Sequence, residues 1–485
     1  MLRFLLTATT IAWFAFELPA QTPIAPERAT PINLAAALQL AGASPIDVQI
    51  AGRQVELSAK SLERARLLWL PNLMMGTDYF HHEGLQQNFL GESVQSSRSS
   101  FMAGAGPNLV FGVTDAIYAP LAARQELSAR RAFLNAITND AAFQTAELYF
   151  TLLQAKGELT GAQMTAAQAE EISRRAEKLA EGLAPPLEAT RARVELARRK
   201  LAEVTARERE AVASADLTRL LRLEAGMKLE PTEPPYLVVT LIDATLTVDA
   251  LIPIALTTRP ELSGQQAIVQ AALTRLKQEK IRPLIPSVAL RSVSTNPSGS
   301  LGYGAFGGGR GGNINGFNGR FDIDIQVMWE FQQLGFGNSI RAGERKIEYE
   351  TAILEMFRAQ DRVAAEVVAA LVQVKASGER LALPEPAWKD ALDLVKKSLE
   401  GLGQTRRIGD AITLVIRPQE AVAAVQSLGQ ANVDYHAAAA DYNRAQFRLY
   451  RALGHPAAAL AGNVAAPQPI DATAPASQDT RLIRP

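Results

Sequence analysis

Residues 321–331 read Phe-Asp-Ile-Asp-Ile-Gln-Val-Met-Trp-Glu-Phe, the clearest strand pattern among the β-like runs of the chain. Its odd-numbered residues are all apolar and its even-numbered residues are mostly polar, which is the period of a β-strand. A tilted strand needs about 9–11 residues to cross a bilayer, with apolar side chains toward lipid and polar ones toward a lumen. The pattern therefore predicts a membrane-spanning strand with a lipid-facing side formed by Phe321, Ile323, Ile325, Val327, Trp329 and Phe331.

Three weaker β-like runs accompany this strand, at 73–80, 101–111 and 287–293. Four strands cannot close a barrel, because about eight is the usual minimum. An open sheet edge in lipid leaves costly unpaired backbone groups, so several chains must share one barrel if these strands span. Three chains would supply twelve strands, an even number as in bacterial barrels. A half-buried strand of a soluble protein would alternate in the same way, and this alternative stays open.

The N-terminus has the pattern of an export signal. Arg3 is followed by an apolar run at 5–16, and Ala20 offers a small residue for cleavage before Gln21. Residues 1–20 are thus predicted to be a signal peptide, with an ordinary N-terminal helix as the alternative. No later stretch of 18 uncharged apolar residues occurs, so a membrane-spanning mature chain would have to use strands.

Composition argues against several classes of protein. The 485 residues contain 50 Lys+Arg and 50 Asp+Glu, which leaves no basic excess for nucleic acid. The absence of cysteine excludes disulfides, thiolate metal sites, thiol catalysis and lipid attachment at an N-terminal cysteine. The four histidines show no metal-ligand spacing, and the glycine-rich stretch 302–312 lacks the lysine of a phosphate-binding loop, so we expect a flexible hairpin loop there. We predict no cofactor, no metal and no enzymatic activity.

The chain repeats one pattern twice: a helix, two strands, a long helix and a further helix. The long helices are predicted at 115–183 and 338–402, the first extending roughly 100 Å. Heptad spacing of Leu187, Val194 and Leu201 in the next helix predicts coiled-coil packing. The predicted domains are a first repeat (21–226), a proline-rich linker (227–236), a second repeat (237–456) and a disordered tail (457–485).

Five segments carry a family resemblance: 31–41 (PINLAAALQLA), 187–197 (LEATRARVELA), 217–221 (LTRLL), 431–435 (ANVDY) and 449–454 (LYRALG). In this order, at the ends of two repeats, they resemble the TolC-family outer-membrane efflux proteins over about residues 30–456. The resemblance implies an α+β membrane protein: a homotrimeric twelve-stranded outer-membrane barrel with four strands per chain, continued by a long periplasmic coiled-coil barrel.

The resemblance also implies a function. Such proteins are passive exit ducts of tripartite efflux or type I secretion systems, and a periplasmic adaptor joins them to an inner-membrane pump or ABC exporter. They bind no cofactor and are not enzymes. The expected location is the outer membrane of a Gram-negative-type bacterium, without lipidation. A periplasmic coiled-coil scaffold or adaptor without a pore is the alternative, and the alternating run at 321–331 argues against it.

The family narrows its periplasmic end near a turn, which corresponds here to residues 401–418. The candidate aperture residues are Asp410, Arg406, Arg407 and Arg417. Three copies of Asp410 would favour cations and three copies of Arg417 would favour anions, while ordinary exposed turn charges are the alternative. Pro384 and Pro386 predict a break in the second long helix.

Overall fold

The computed structural model describes residues 29–291, 303–321, 323–408, 411–455 and 460. The predicted signal peptide lies outside this part of the chain, as does the predicted tail apart from Leu460. The helices are α1 (Leu34–Ala41), α2 (Ile46–Arg66), α3 (Val113–Leu179), α4 (Pro186–Leu220), α5 (Val248–Thr258), α6 (Pro260–Ile281), α7 (Phe336–Leu381), α8 (Pro384–Gly401) and α9 (Pro418–Ala452).

The strands form one large sheet and two small ones. They are β1 (Thr30–Ile32), β2 (Asn72–Gln87), β3 (Ser93–Gly112), β4 (Leu229–Pro231), β5 (Ser287–Arg291), β6 (Tyr303–Gly309), β7 (Asn315–Phe321), β8 (Asp324–Met328), β9 (Thr405–Ile408) and β10 (Ala411–Leu414). β1 pairs in parallel with β4, which lies in the predicted linker, and β9 pairs with β10 as a hairpin.

The large sheet has four neighbouring strand positions. β2 pairs with β3 along its whole length, and both β5 and β6 pair with β3 on its other side. β8 then pairs with β5, and β7 pairs with β6. All these pairs are antiparallel. The described strands therefore lie in the order β2, β3, β5/β6, β7/β8, which agrees with four strands per chain.

Two predicted loops are largely strand. β2 runs to Gln87 and β3 begins at Ser93, so the first hairpin has only a short turn. The second, glycine-rich loop, predicted at 302–312, contains β6 and leads into β7. Glycine suits this hairpin because the Phe317 ring lies over Gly307, where a β-carbon would be 2.7 Å from a ring atom. The predicted strand at 321–331 is also shorter in the structure, where Phe321 ends β7 and β8 covers Asp324–Met328.

One uninterrupted helix connects the sheet with the far end of the molecule. α3 begins directly after β3 and contains 67 residues, which corresponds to about 100 Å. The predicted break in the second long helix is confirmed, since α7 ends at Leu381 and α8 begins at Pro384. Proline is tolerated in the first turn of a helix, where its missing N–H is not needed, but not in the interior.

The helices form a layer that continues the sheet. Next to the sheet, α2 and α6 flank α3, and α7 packs on α6; farther away, α4 and α9 flank α3, and α7 and α8 pack on α9. A core of buried residues that includes Tyr149, Phe150 and Phe447 lies where these two regions meet.

The heptad residues of α4 do not pack inside the chain. Leu187, Val194 and Leu201 are 57%, 49% and 68% exposed. Apart from Leu217, the buried residues of this helix are small or polar, among them Ala192, Ala206 and Ala213. The predicted coiled-coil packing of these three residues does not form within one chain, where alanines allow α4 a closer approach to α3, and for contacts between chains it stays a prediction.

One helical stretch, Leu34–Trp69, meets a length-and-composition test for a membrane span among the described residues. It consists mainly of α1 and α2, which meet at a bend around 42–45 and pack against α3.

Candidate functional site

The backbone register of the large sheet brings apolar side chains from different strands together on one face. Phe101 lies opposite Tyr79, and Phe321 lies opposite Tyr303. Farther along, Ile325 lies opposite Leu290 and Val327 opposite Val288. The rings of Tyr303 and Phe321 are 6.4 Å apart in an edge-on arrangement. Cross-strand aromatic and aliphatic pairs of this kind stabilise a sheet.

This face is the convex side of the sheet. Between residues 77 and 87 of β2, the odd-numbered positions are exposed and the even-numbered positions are half-buried. Side chains on a concave surface shield one another, so the exposed odd positions belong to the convex side. All six predicted lipid-facing side chains, Phe321, Ile323, Ile325, Val327, Trp329 and Phe331, are exposed.

The apolar band on the convex face has the height of a membrane. It extends from the Tyr79–Phe101 pair to Val288, which lies opposite position 111 of β3. Ten residues of strand cover about 33 Å, and a tilt of about 40° reduces this to about 25 Å. Beyond Tyr79 the same face becomes polar, since His81 Nδ1 lies 2.8 Å from the Ser99 hydroxyl.

Exposed aromatic residues mark both borders of the band. The exposed Tyr79 and Phe317 lie at the distal border, the one farther from the helices, and the half-buried Phe101 ring lies 6.3 Å from the Phe317 ring. Trp69, Trp329, Phe331 and Phe336 lie where the sheet meets the helices, and all four are exposed. Aromatic residues at both borders are typical of outer-membrane barrels. The sequence analysis did not assign Trp69 or Phe336 to this set, although both lie close to predicted strands in the sequence.

The concave face is more polar. Its side chains include Asp78, His82, Arg98, Ser100, Asn318, Arg320, Asp324 and Gln326, together with the apolar Met102 and Phe306. The Arg320 guanidinium lies 4.9 Å from the centre of the Phe306 ring. Gly76, Gly104 and Gly304 form one row across three strands on this face. A β-carbon at Gly104 would overlap the Tyr303 carbonyl oxygen, so the backbones approach closely there.

The candidate aperture segment forms a β-hairpin rather than a simple turn. Arg406 and Arg407 lie on β9, and Arg406 pairs with Thr413 of β10. Leu414 packs on the core between the helix ends, and the Val415 N–H donates to the Gln404 carbonyl at 2.8 Å, which fixes the base of the hairpin. Arg406, Arg407 and Arg417 are exposed. Asp410 lies outside the described residues.

Ion pairs connect the helices in the region between the large sheet and the β9–β10 hairpin. The Arg259 side chain, only 2% exposed, donates to Glu366 at 2.7 Å, and Arg451 contacts both Glu366 at 2.8 Å and Asp140 at 2.7 Å. Burial alone would lower the pKa of Arg451, but its bond to Asp140 and the charge of Glu366 outweigh it, so the pKa lies above the ordinary value. This network joins the start of α6 to α7, α9 and α3.

Two polar residues of α9 fill gaps left by glycines of α3. His436 packs on Gly157, and Asn432 packs on Gly161. Burial lowers the pKa of His436, which favours a neutral ring in this contact. The described residues contain no group of three or more histidine, aspartate or glutamate side chains that could hold a metal ion. A cleft of about 590 Å³ across α2, α3, α6 and α7 contains the Glu126–Arg275 ion pair.

No family model matches the sequence, and no curated protein matches it either. Solved structures do match. The CmeC outer membrane channel of Campylobacter jejuni has a TM-score of 0.67 at 14% identity, covering 87% of this chain and 85% of that one. The outer membrane protein VceC of Vibrio cholerae has a TM-score of 0.66 at 14% identity, with coverages of 87% and 96%.

The MtrE outer membrane channel of Neisseria gonorrhoeae, in its open state, has a TM-score of 0.66 at 16% identity, covering 87% of this chain and 89% of that one. Identities this low establish the fold rather than the activity. They agree with the resemblance found in the five sequence segments. The chain has the fold of the TolC-type outer-membrane channels.

Proposed function

We propose that this protein is the outer-membrane channel of an efflux or type I secretion system. Three copies share a twelve-stranded barrel and a long periplasmic helical tunnel, and solutes pass through passively. The observation that carries the proposal is that a single chain has an apolar, membrane-high sheet with two open edges.

The first open edge is β2 and the second is β7 with β8, which pair on one side only among the described strands. β2 alone contributes sixteen residues to its edge. Each unpaired N–H or C=O group in lipid costs several kcal/mol, so such a sheet requires partners along both edges. Because the two edges differ, copies would associate head to tail, and this kind of contact closes into a ring.

The helical layer also has two edges, which correspond to the two open edges of the sheet. α2 and α4 lie at one edge, and α7 and α8 lie at the other. Exposed apolar residues with heptad spacing run along both: Leu187, Val194 and Leu201 on α4, and Ile340, Ile347 and Leu354 on α7. Heptad stripes pack against partner helices. The seam that is missing within one chain would thus form between chains.

The remaining assignments belong to the same proposal. The signal peptide directs export, and residues 21–226 and 237–456 are two structural repeats joined at 227–236. The convex face contacts outer-membrane lipid, and the concave face lines the lumen. The β9–β10 hairpin with Arg406, Arg407, Arg417 and Asp410 borders the periplasmic aperture. A periplasmic adaptor connects this end to an inner-membrane pump, and the channel itself catalyses no reaction.

Interchain cysteine crosslinking tests the assembly directly, because the natural chain has no cysteine. Leu57 of α2 and Leu354 of α7 are 69% and 66% exposed, at opposite edges. Their neighbours Ser58 and Thr351 line one cleft, so the two leucines lie at a similar height. The double variant Leu57→Cys/Leu354→Cys, treated with a short bis-maleimide in membranes, should give covalent trimers.

The single variants Leu57→Cys and Leu354→Cys are the matched controls and should remain single chains on a denaturing gel. Native mass measurement of the detergent-extracted parent should give three copies, and the trimer should conduct ions in a planar bilayer. A soluble monomer that forms no crosslinks would instead support a periplasmic scaffold without a pore.

A further inference from the structure

We propose that the distal end of the concave face carries an oxyanion site, built around His82 and Arg98 with Arg310 beside them, and that it favours anionic solutes. The inference rests on the proposed function in one respect, namely that this face lines a pore. The site itself follows from the register and from two unpartnered nitrogen atoms.

His82 and Arg98 are direct cross-strand neighbours. The register pairs His82 of β2 with Arg98 of β3, on the same face as Asp78 and Met102. The Nε2 atom of His82 and the Nε atom of Arg98 are both buried and have no hydrogen-bond partner in the described structure. Buried polar groups in proteins are nearly always satisfied. Two unsatisfied nitrogens on residues paired across two strands therefore indicate a place where an acceptor binds.

A third cation lies in the same row. Gly309, the last residue of β6, pairs with Ser99, so Arg310 follows at the level of Arg98. The Arg98 guanidinium lies 5.8 Å from the centre of the Phe80 ring, which holds this long side chain over the sheet. Three basic residues thus lie at one level of the sheet, His82 on β2, Arg98 on β3 and the exposed Arg310 directly after β6.

Carboxylates on the described part of this face lie farther away. Asp78 belongs to β2, four residues toward the membrane band from His82. Glu83 is closer in sequence, but it lies on the opposite face, where its carboxylate is 3.7 Å from His81 Nε2. The cations around Arg98 are therefore not neutralised by the neighbouring acids of β2.

The geometry fits a carboxylate, sulfate or phosphate group. The planar guanidinium presents several N–H donors in a fork that matches two oxygens of such an anion, and the imidazole adds a donor beside it. A lipid headgroup has the same chemistry, but lipid would contact the convex face. We therefore assign the site to a soluble oxyanion in the lumen, and the favoured cargo to organic anions.

The test uses the complete channel in planar bilayers of neutral lipid. In a potassium chloride gradient the parent should show anion preference, and sodium sulfate added on the distal side should reduce the chloride current severalfold. The variant Arg98→Gln/Arg310→Gln should lose the sulfate effect and shift its reversal potential toward cations. Arg98→Lys keeps the charge but not the fork, and should retain the anion preference with weaker sulfate block.

Arg53→Gln, an exposed position on α2, is the matched control and should behave like the parent. Equal thermal melting of all trimers would show that the fold is intact. If the parent conducts but sulfate has no effect, or if Arg98→Gln/Arg310→Gln behaves like the parent, the oxyanion site is refuted while the channel stands. If the parent forms no channels, the proposed function itself fails. A sulfate effect that appears only with anionic lipid would assign these cations to headgroups and overturn the inference.

Discussion

Asn432 of α9 packs directly onto Gly161 of α3, and a β-carbon at position 161 would overlap its side-chain amide. Asn432 is only 4% exposed, so the amide has little room to move away. The missing side chain at position 161 therefore sets the distance between these two helices, which lie in the part of the molecule assigned to the tunnel.

Gly161→Ala should destabilise the protein, although the same substitution in an open helix is favourable. Overpacking of a close contact costs about 1–3 kcal/mol. Gly52→Ala in α2, where a β-carbon meets nothing within 4 Å, is the control and should stabilise by about 0.5–1 kcal/mol. Thermal melting compares the two, and Asn432→Ala should recover part of the loss. Equal melting of both alanine variants would contradict the contact.

Gly104→Ala should impair barrel assembly more than Gly76→Ala. Both glycines belong to the same row, but a β-carbon at Gly104 overlaps the Tyr303 carbonyl oxygen, whereas at Gly76 it meets nothing within 4 Å. Alanine at position 104 would force β3 and β6 apart, which would destabilise the protein by about 1–3 kcal/mol. Heat-resistant trimer on a denaturing gel is the measurement. A larger effect at Gly76 would contradict the close approach of β3 and β6 at Gly104.

Ile325→Arg should damage the trimer more than Asp324→Arg. Ile325 is 67% exposed on the convex face, where an arginine near the membrane midplane costs about 2–4 kcal/mol. Asp324 lies on the concave face, where water would solvate the new charge. Trimer melting in detergent and assembly in outer membranes distinguish them. The reverse order would invert the assignment of the two faces.

Glu366→Gln should lower the stability of the helical region by about 2 kcal/mol, because two arginines lose a charged hydrogen-bond partner. Arg259 would then depend on Glu261, at 3.2 Å, for its counter-charge. Glu56→Gln is the control, since the Arg53–Glu56 pair is exposed on both sides and such pairs contribute about 0–1 kcal/mol. Denaturant unfolding of the two variants should differ clearly.

Charge removal at the helix-end hairpin should change ion flow. Asp410→Ala should alter the single-channel conductance or shift the ion selectivity away from cations, and Arg417→Ala should act in the opposite direction, because threefold symmetry multiplies each charge at the aperture. His81, on the convex face, is the control position. Unaltered conductance and selectivity in both variants would mean that this segment is an ordinary solvated hairpin.

Local periodicity was sufficient to predict much of this fold. The long helices and the alternating residues around Ile325 were predictable because each pattern is contained in its own segment. The β6–β7 hairpin was not, since its glycines give no alternation and its position depends on pairing with β3, far away in sequence. The β9–β10 hairpin had a signal, since β-branched residues lie on both sides of Gly409, Thr405 and Ile408 before it and Ile412 and Thr413 after it, but the family resemblance indicated a simple turn.

The candidate site was less accessible from sequence. Neither the pairing of His82 with Arg98 nor the row through Gly104 can be read without the register, because a shift of one residue would move every side chain to the other face. The exposure of Leu187 and Val194 shows the converse. Their heptad spacing was visible, but whether it serves this chain or a neighbouring copy depends on how closely alanines bring α4 to α3.

The β2–β3 ribbon continues past the end of β6, and its turn presents Phe89 and Leu90 almost fully to the surroundings. The turn keeps its shape through its own bonds, because the Asn88 side chain accepts from the N–H groups of Leu90 and Glu92. In the proposed channel this turn lies on the bacterial surface, where antibodies and phages can reach it. A substitution of Phe89 or Leu90 disturbs no packed neighbour, whereas a side chain at Gly104 would overlap the Tyr303 carbonyl oxygen.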